Sequence, residues 1–230
     1  MPDLPYTILS CAITLDGYLD DTSDRPLHLS GPADLDRVDG VRADSDAILV
    51  GAATVRNDDP RLLVRAPARV VGRRRRGATD SPVKVTVSEH VTIDRASAFF
   101  TAGDVEKLVY CPSAHVDEGR LAFGDLATVV DGGEPVTMRR VAEDLYRRGV
   151  RRLMVEGGAT VHTQFLTEGL ADELQLVVAP FFLGDRRARR WVDDGQYRWC
   201  HDHRARPVET RTLDDVVLVR YALSERCEAA

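Results

Sequence analysis

From Tyr6 to Thr14 the chain is apolar and rich in β-branched residues, and the turn pair Asp16-Gly17 follows, which predicts a strand. Pro32 to Ala43 changes period. Proline stands near its start and Leu35, Val38 and Val41 recur at three-residue steps, so a helix is expected. Ala47 to Gly51 is a short apolar strand running into a helical turn at Ala52 to Val55. The pattern predicts further strands at 83–87, 107–110, 127–130 and 152–156. Helices are expected at 137–148, with Thr137 as cap and an apolar stripe through Val141 and Leu145, and at 159–168. Between 66 and 82, prolines, glycines and the run Arg73-Arg74-Arg75-Arg76 interrupt any period, which predicts a mobile loop. Closing strands are read at 173–180 and 216–221, with no helical pattern between them.

Strands alternating with helices over the first 180 residues predict an α/β fold: a mostly parallel central sheet with flanking helices and an antiparallel C-terminal edge. With no internal repeat, one domain over 1–230 is expected. At 43% hydrophobic and 30% charged residues the chain can build a sizeable core. The net charge of −6 speaks against a general nucleic-acid binder. Lys84 and Lys107 are the only lysines among 31 basic residues. No stretch approaches the roughly 20 apolar residues that span a bilayer, and the opening Met1-Pro2-Asp3-Leu4-Pro5 lacks the signature of a signal peptide. The four cysteines are scattered without a C-x-x-C pair, so a reduced, cytoplasmic enzyme is expected.

Three segments could carry chemistry. In Val155-Glu156-Gly157-Gly158-Ala159-Thr160, two glycines stand between a strand and a helix, where bare N–H groups can approach a phosphate; the same pair also serves as a plain tight turn. It matches neither G-x-G-x-x-G nor a P-loop. In the second, a small-residue turn at Gly51 leads through Thr54 to Asp58-Asp59-Pro60 and Arg65, at the strand end where open α/β sheets bind ligands. Thr54 and the acids could equally cap and end a helix. The third, Thr14-Leu15-Asp16-Gly17, reads on its own as turn chemistry.

Together and in this order, these segments resemble the pyrimidine reductase of riboflavin biosynthesis, the reductase half of the bifunctional deaminase–reductase, in standalone form. The resemblance also takes in the block from Ser45 through Gly51 to Asp58-Asp59-Pro60 and the run Leu170-Ala171-Asp172-Glu173-Leu174 to Ala179-Pro180. It implies a dihydrofolate reductase-like fold, a homodimer, and reduction of the ribosyl side chain of 5-amino-6-(5-phosphoribosylamino)uracil, or its 2,5-diamino-pyrimidinone analogue, by NADPH. Carried over residue by residue, Asp58 is implied at the reacting centre, and Thr54 and Asp58 against both coenzyme and substrate. Arg42, Leu62, Arg65 and Glu156 are implied as substrate contacts, the two arginines suiting a sugar phosphate. Ile13, His28, Ser88, Gly157, Gly158, Ala159 and Thr160, with the stretch on to Gln164, are implied along the coenzyme.

The chain departs from the family where Ser10 replaces a lysine of many bifunctional members, and where Ser88-Glu89 replaces Asp-Ser after the 83–87 strand. Glu89 would repel a 2′-phosphate, which leaves NADPH against NADH open. The zinc-deaminase signature H-x-E…P-C-x-x-C is absent, so reduction without deamination is expected. No metal is expected: Cys200-His201-Asp202-His203 reads as a surface loop, His162 as a packed histidine, and Trp191 and Trp199 as core or dimer interface. Two other functions stay open: a reductase of another pterin- or pyrimidine-like compound, and a nucleotide-binding regulator that touches nucleic acid through the arginine run.

Overall fold

The structure is a computed structural model that describes residues 4–21 and 27–227. The strands are β1 (Tyr6–Thr14), β2 (Ala47–Gly51), β3 (Val83–Val87), β4 (Lys107–Cys111), β5 (Thr128–Asp131), β6 (Arg152–Gly157), β7 (Glu173–Ala179), β8 (Arg206–Leu213) and β9 (Val216–Ala222). The helices are α1 (Pro32–Asp44), α2 (Ala52–Asp58), α3 (Pro67–Arg75), α4 (Ala98–Thr101), α5 (Val116–Phe123), α6 (Met138–Arg147) and α7 (Ala159–Thr167). The chain divides into two compact units, one of Met1–Pro5 and Asp39–Met154, the other of Tyr6–Val38 and Val155–Ala230. Helix α1 and strand β6 each begin in one unit and end in the other.

In the first unit the strand order is β5-β4-β3-β2-β6. The pairs β2–β3, β3–β4 and β4–β5 are all parallel, and Gly51 lies in register with Val87 and Val87 with Tyr110. Parallel sheets are covered on both faces, which explains why every residue of β2 is buried. A core joins Ile48, Val50, Val55, Leu62, Phe99, Phe100, Val109 and Phe123. Thr137 caps α6 as its position predicted, accepting the Arg140 N–H, and Val141 and Leu145 are fully buried.

The span read as a mobile loop at 66–82 is largely ordered helix. Pro67 opens α3 at a position where its missing N–H is harmless. Arg73 is 4% exposed, and its guanidinium donates to the carbonyls of Ala43 and Ser45 at 2.8 and 2.7 Å and of Thr79 at 2.7 Å. Arg74 forms a two-pronged pair with Asp80, and Arg76 donates to Ala43 O. The arginine run therefore caps the end of α1 and fastens α3. Periodicity missed this because three of the four side chains bond backbone or an acid six residues on, a pattern with no hydrophobic signature.

The second unit runs β6-β1-β7-β9-β8. Strands β1 and β7 pair in parallel, with Thr14 opposite Ala179, while β7–β9 and β8–β9 are antiparallel. The antiparallel C-terminal edge is thus present, and it contains a strand the pattern did not resolve: β8 and β9 form a hairpin whose turn holds Asp214 at φ 53°. Strand β8 is mostly exposed, with no apolar face to read. Between β7 and β9 lies a buried ionic cluster. Glu173 is 1% exposed, and its carboxylate accepts from Arg220 Nε at 2.8 Å, Gln175 Nε2 at 2.7 Å and the Tyr6 hydroxyl at 2.9 Å. Burial pushes that carboxyl up, but these donors more than offset it and hold it below the usual range.

His162 on α7 is a packed histidine, 0% exposed, its ring 6.4 Å from that of Trp191. Burial pushes its pKa down to about 4, and the nearby backbone of Val155 and Trp191 counters only part of that shift. A base whose folded pKa lies below its unfolded value of about 6.5 costs stability in acid, because the unfolded chain takes up a proton that the folded one refuses. Urea unfolding midpoints are therefore expected to fall as pH drops from about 6.5 towards 4. His162→Gln should flatten that window, and an unchanged slope in the variant would clear His162 of the effect.

Candidate functional site

In the first unit the candidate residues are set by the end of α1, by α2 and by the segment after it. Thr54 and Asp58 sit one turn apart on α2, Thr54 half-buried and Asp58 exposed, on one side of the helix. Val55 on the neighbouring side is 1% exposed in the core, so the core fixes which way the pair faces. After α2 the backbone enters the left-handed region twice, at Asp59 (φ 43°) and Leu62 (φ 50°). Such conformations are uncommon without glycine and cluster at functional sites. Leu62 is 1% exposed and belongs to the core, where it anchors the segment.

Two side chains from α1 hold this segment. Arg42 Nη1 donates to Leu63 O at 3.2 Å. Asp39, 3% exposed, accepts the N–H groups of Arg65 and Ala66 at 2.6 and 3.1 Å and Arg69 Nη1 at 3.0 Å. Burial raises the Asp39 carboxyl, yet those donors hold it below its ordinary value. Arg42 and Arg65 are thereby drawn to one loop, with the Arg65 side chain exposed. Asp39 was not singled out from sequence. The only signal for it was an acid on the helix face that also carries Arg42.

Ser88 stands just past β3, and the pairing of Gly51 with Val87 sets it beside the start of α2. Its hydroxyl, like that of Thr86, is buried without a hydrogen-bond partner among the described residues. On the side of α2 that carries Val55, Arg56 and Asp59, a cleft of about 470 Å³ opens against Thr92, Ile93, Asp94, Ala96 and Ser97.

In the second unit β6 ends on half-buried Glu156 and buried Gly157. Gly158 then turns at φ 93°, ψ 118°, a conformation that strains any residue with a Cβ, and α7 begins with no side chain capping its first turn. The uncapped amides and the absent Cβ fit the close approach of a phosphate. Ala159 is 1% exposed. The exposed Thr160 hydroxyl donates to Asp193 and accepts from Arg189, both at 3.1 Å. Ile13 is buried near the end of β1, and His28 is exposed. Asp16 plays the turn role its motif suggests, accepting from Thr14 Oγ1 and from the N–H groups of Leu183 and Gly184. The Thr14 hydroxyl bond foremost, joined by those N–H groups, brings its pKa to about 2. The segment 200–203 is exposed, and no cluster of metal-ligating residues occurs among the described residues. Trp191 and Trp199 are half-buried rather than core.

A mostly parallel α/β sheet with an antiparallel edge is the fold of solved RibD structures, and the named relatives are reductases, which makes the class an oxidoreductase. The chain belongs to the RibD C-terminal domain family, whose model matches residues 5–219. It is 36% identical over 183 residues to the 2,5-diamino-6-ribosylamino-4(3H)-pyrimidinone 5′-phosphate reductase of Archaeoglobus fulgidus, covering 79% of this chain and 83% of that one. The protein of that name from Methanothermobacter thermautotrophicus is 34% identical over 226 residues, covering 95% and 98%. Among solved structures, RibD of Acinetobacter baumannii superposes with a TM-score of 0.78 at 23% identity; the match takes in 96% of this chain and 58% of RibD.

Proposed function

We propose that this chain reduces the ribosyl side chain of a 5-amino-6-(5-phosphoribosylamino)pyrimidine to the ribityl form with NADPH, as a step of riboflavin biosynthesis. The observation that carries this reading is near end-to-end similarity to a reductase named for the 2,5-diamino-pyrimidinone phosphate, over 98% of that protein's length. It favours the 2,5-diamino substrate over the uracil. When bound, the nicotinamide supplies the hydride that goes to C1′ of the open-chain imine. The protein's task is then alignment, exclusion of water and delivery of one proton. Asp58 hands that proton to the imine nitrogen, so that C=N becomes CH–NH. Arg42 and Arg65 hold the sugar phosphate, a pairing that suits guanidinium geometry. Thr54, Leu62 and Glu156 complete the substrate contacts. Gly157 to Thr160, with Ile13, His28 and Ser88, line the coenzyme. We assign a homodimer in the cytoplasm to the active form; Phe182 at 73% and Leu15 at 50% exposure are apolar surface that a second copy would cover.

The arginine run disfavours a nucleic-acid regulator, because Arg73 is spent on backbone carbonyls and Arg74 on Asp80. The test is loss of 340 nm absorbance with NADPH and with NADH, each offered the diamino- and the oxo-pyrimidine. Oxidation of NADPH by the diamino compound is expected. No oxidation in any of the four mixtures would end the proposal.

A further inference from the structure

Helix α2 is poorly equipped to hold Asp58 still. It has seven residues, no side-chain cap at its start, and only Ala52 and Val55 buried. Isolated helices of that length are unstable, so tertiary contacts must fix it. Its last turn, Arg56 to Asp58, is exposed, and one side of it borders the open cleft instead of packed core. Across that cleft stands α4. Asp59 ends α2 in the left-handed conformation, and its carboxylate accepts the N–H of Ala98 at 2.6 Å. That N–H is the first of α4 and has no partner within the helix.

Helix α4 is itself anchored. Phe99 and Phe100 are in the core, and the Lys84 ammonium donates to the carbonyls of Ala98, Phe99 and Ala102 at 3.1, 3.0 and 2.6 Å. A continuous line of contacts thus runs from β3 through Lys84 and α4 to Asp59, the residue after Asp58. We propose that Asp59 is a positioning residue, which braces the last turn of α2 against α4 through the Ala98 N–H and so holds Asp58 in one geometry for reduction. This rests on the role assigned to Asp58 above.

The bond can be cut from either side. Asp59→Ala removes the acceptor. Ala98→Pro removes the donor at a helix position that tolerates proline, and Ser97 at φ −57°, ψ 150° already has the conformation required before one. Each is expected to lower kcat on the order of 100-fold, the scale of an ångström-level misplacement, with both KM values within about threefold. Asp59→Asn keeps an acceptor and accepts the left-handed backbone, so it should stay within about threefold of wild type. Asp59→Gly relieves the backbone without bonding and should fall with Asp59→Ala. The double variant Asp59→Ala/Ala98→Pro should lose no more than either single one, as expected of two ends of one interaction.

Full activity in Asp59→Gly, or losses that multiply in the double variant, would overturn the brace. A second readout does not need turnover: hydrogen exchange of the Arg56 to Asp58 amides should quicken about tenfold or more in Asp59→Ala and not in Asp59→Asn. If the wild type turns over no pyrimidine, the functional reading falls alone and exchange decides the brace; equal exchange in all variants overturns it.

Discussion

Asp58→Asn is expected to lower kcat by 100-fold or more, on the order of 10²–10⁴ for loss of a positioned proton donor, while leaving both KM values within about tenfold. Asparagine keeps the size and hydrogen-bonding reach of the side chain but cannot deliver the proton that the imine nitrogen needs. Asp58 is exposed at the end of α2, outside the core formed by Val55 and Leu62, so the thermal midpoint of the variant should match that of the wild type. That separates chemistry from folding. Stopped-flow measurement of the single-turnover hydride step, with substrate and coenzyme saturating, is the appropriate check. A variant that retains the wild-type rate would remove Asp58 from the chemistry and leave it at most a binding role.

The second large effect concerns stability. Arg73→Met is expected to destabilise the first unit by about 3–5 kcal/mol, a drop of roughly 10 °C in Tm for a chain of this size. Methionine replaces much of the buried stem, so the loss isolates the guanidinium. Its removal takes the Arg73 donor from the carbonyls of Ser45 and Thr79 and leaves that of Ala43 to Arg76 alone, and buried acceptors left unpaired cost about 1–3 kcal/mol each. Arg73→Lys should recover only part of this, because one ammonium cannot spread its donors as the planar fork does. Arg75→Met, on an exposed neighbour, is the control and should move Tm by no more than a degree or two. Equal midpoints for the two methionine variants would show that the buried guanidinium contributes nothing.

Much of this architecture was legible because the parallel strands are short, apolar and bounded by glycine or acid turns. The strands β2, β3 and β4, the cap at Thr137 and the Gly157-Gly158 turn all lie where periodicity and turn chemistry put them. Elements stabilised by polar contacts left no such trace. Helix α3 is held by arginines on carbonyls, α4 is four residues clasped by a lysine, and β8 is an exposed strand that exists through its pairing with β9. The same division holds for the candidate site. Thr54, Asp58 and the glycine pair belong to motifs written in consecutive residues, whereas Asp39 and Asp59 act through bonds to Arg65 and Ala98, 26 and 39 positions along the chain. No local pattern encodes those partners.

The placement of Lys84 has a practical consequence. Its ε-amine is enclosed by α4, and burial, helped by the nearby Lys107 and Arg42 charges, pushes its pKa down to about 8, so a large share of it is an uncharged nucleophile under mildly alkaline conditions. Lys107, the other lysine, is half-buried at the start of β4. An acylating reagent therefore meets one ready ε-amine and one latent one, and modification of the latent site keeps time for the unlatching of α4.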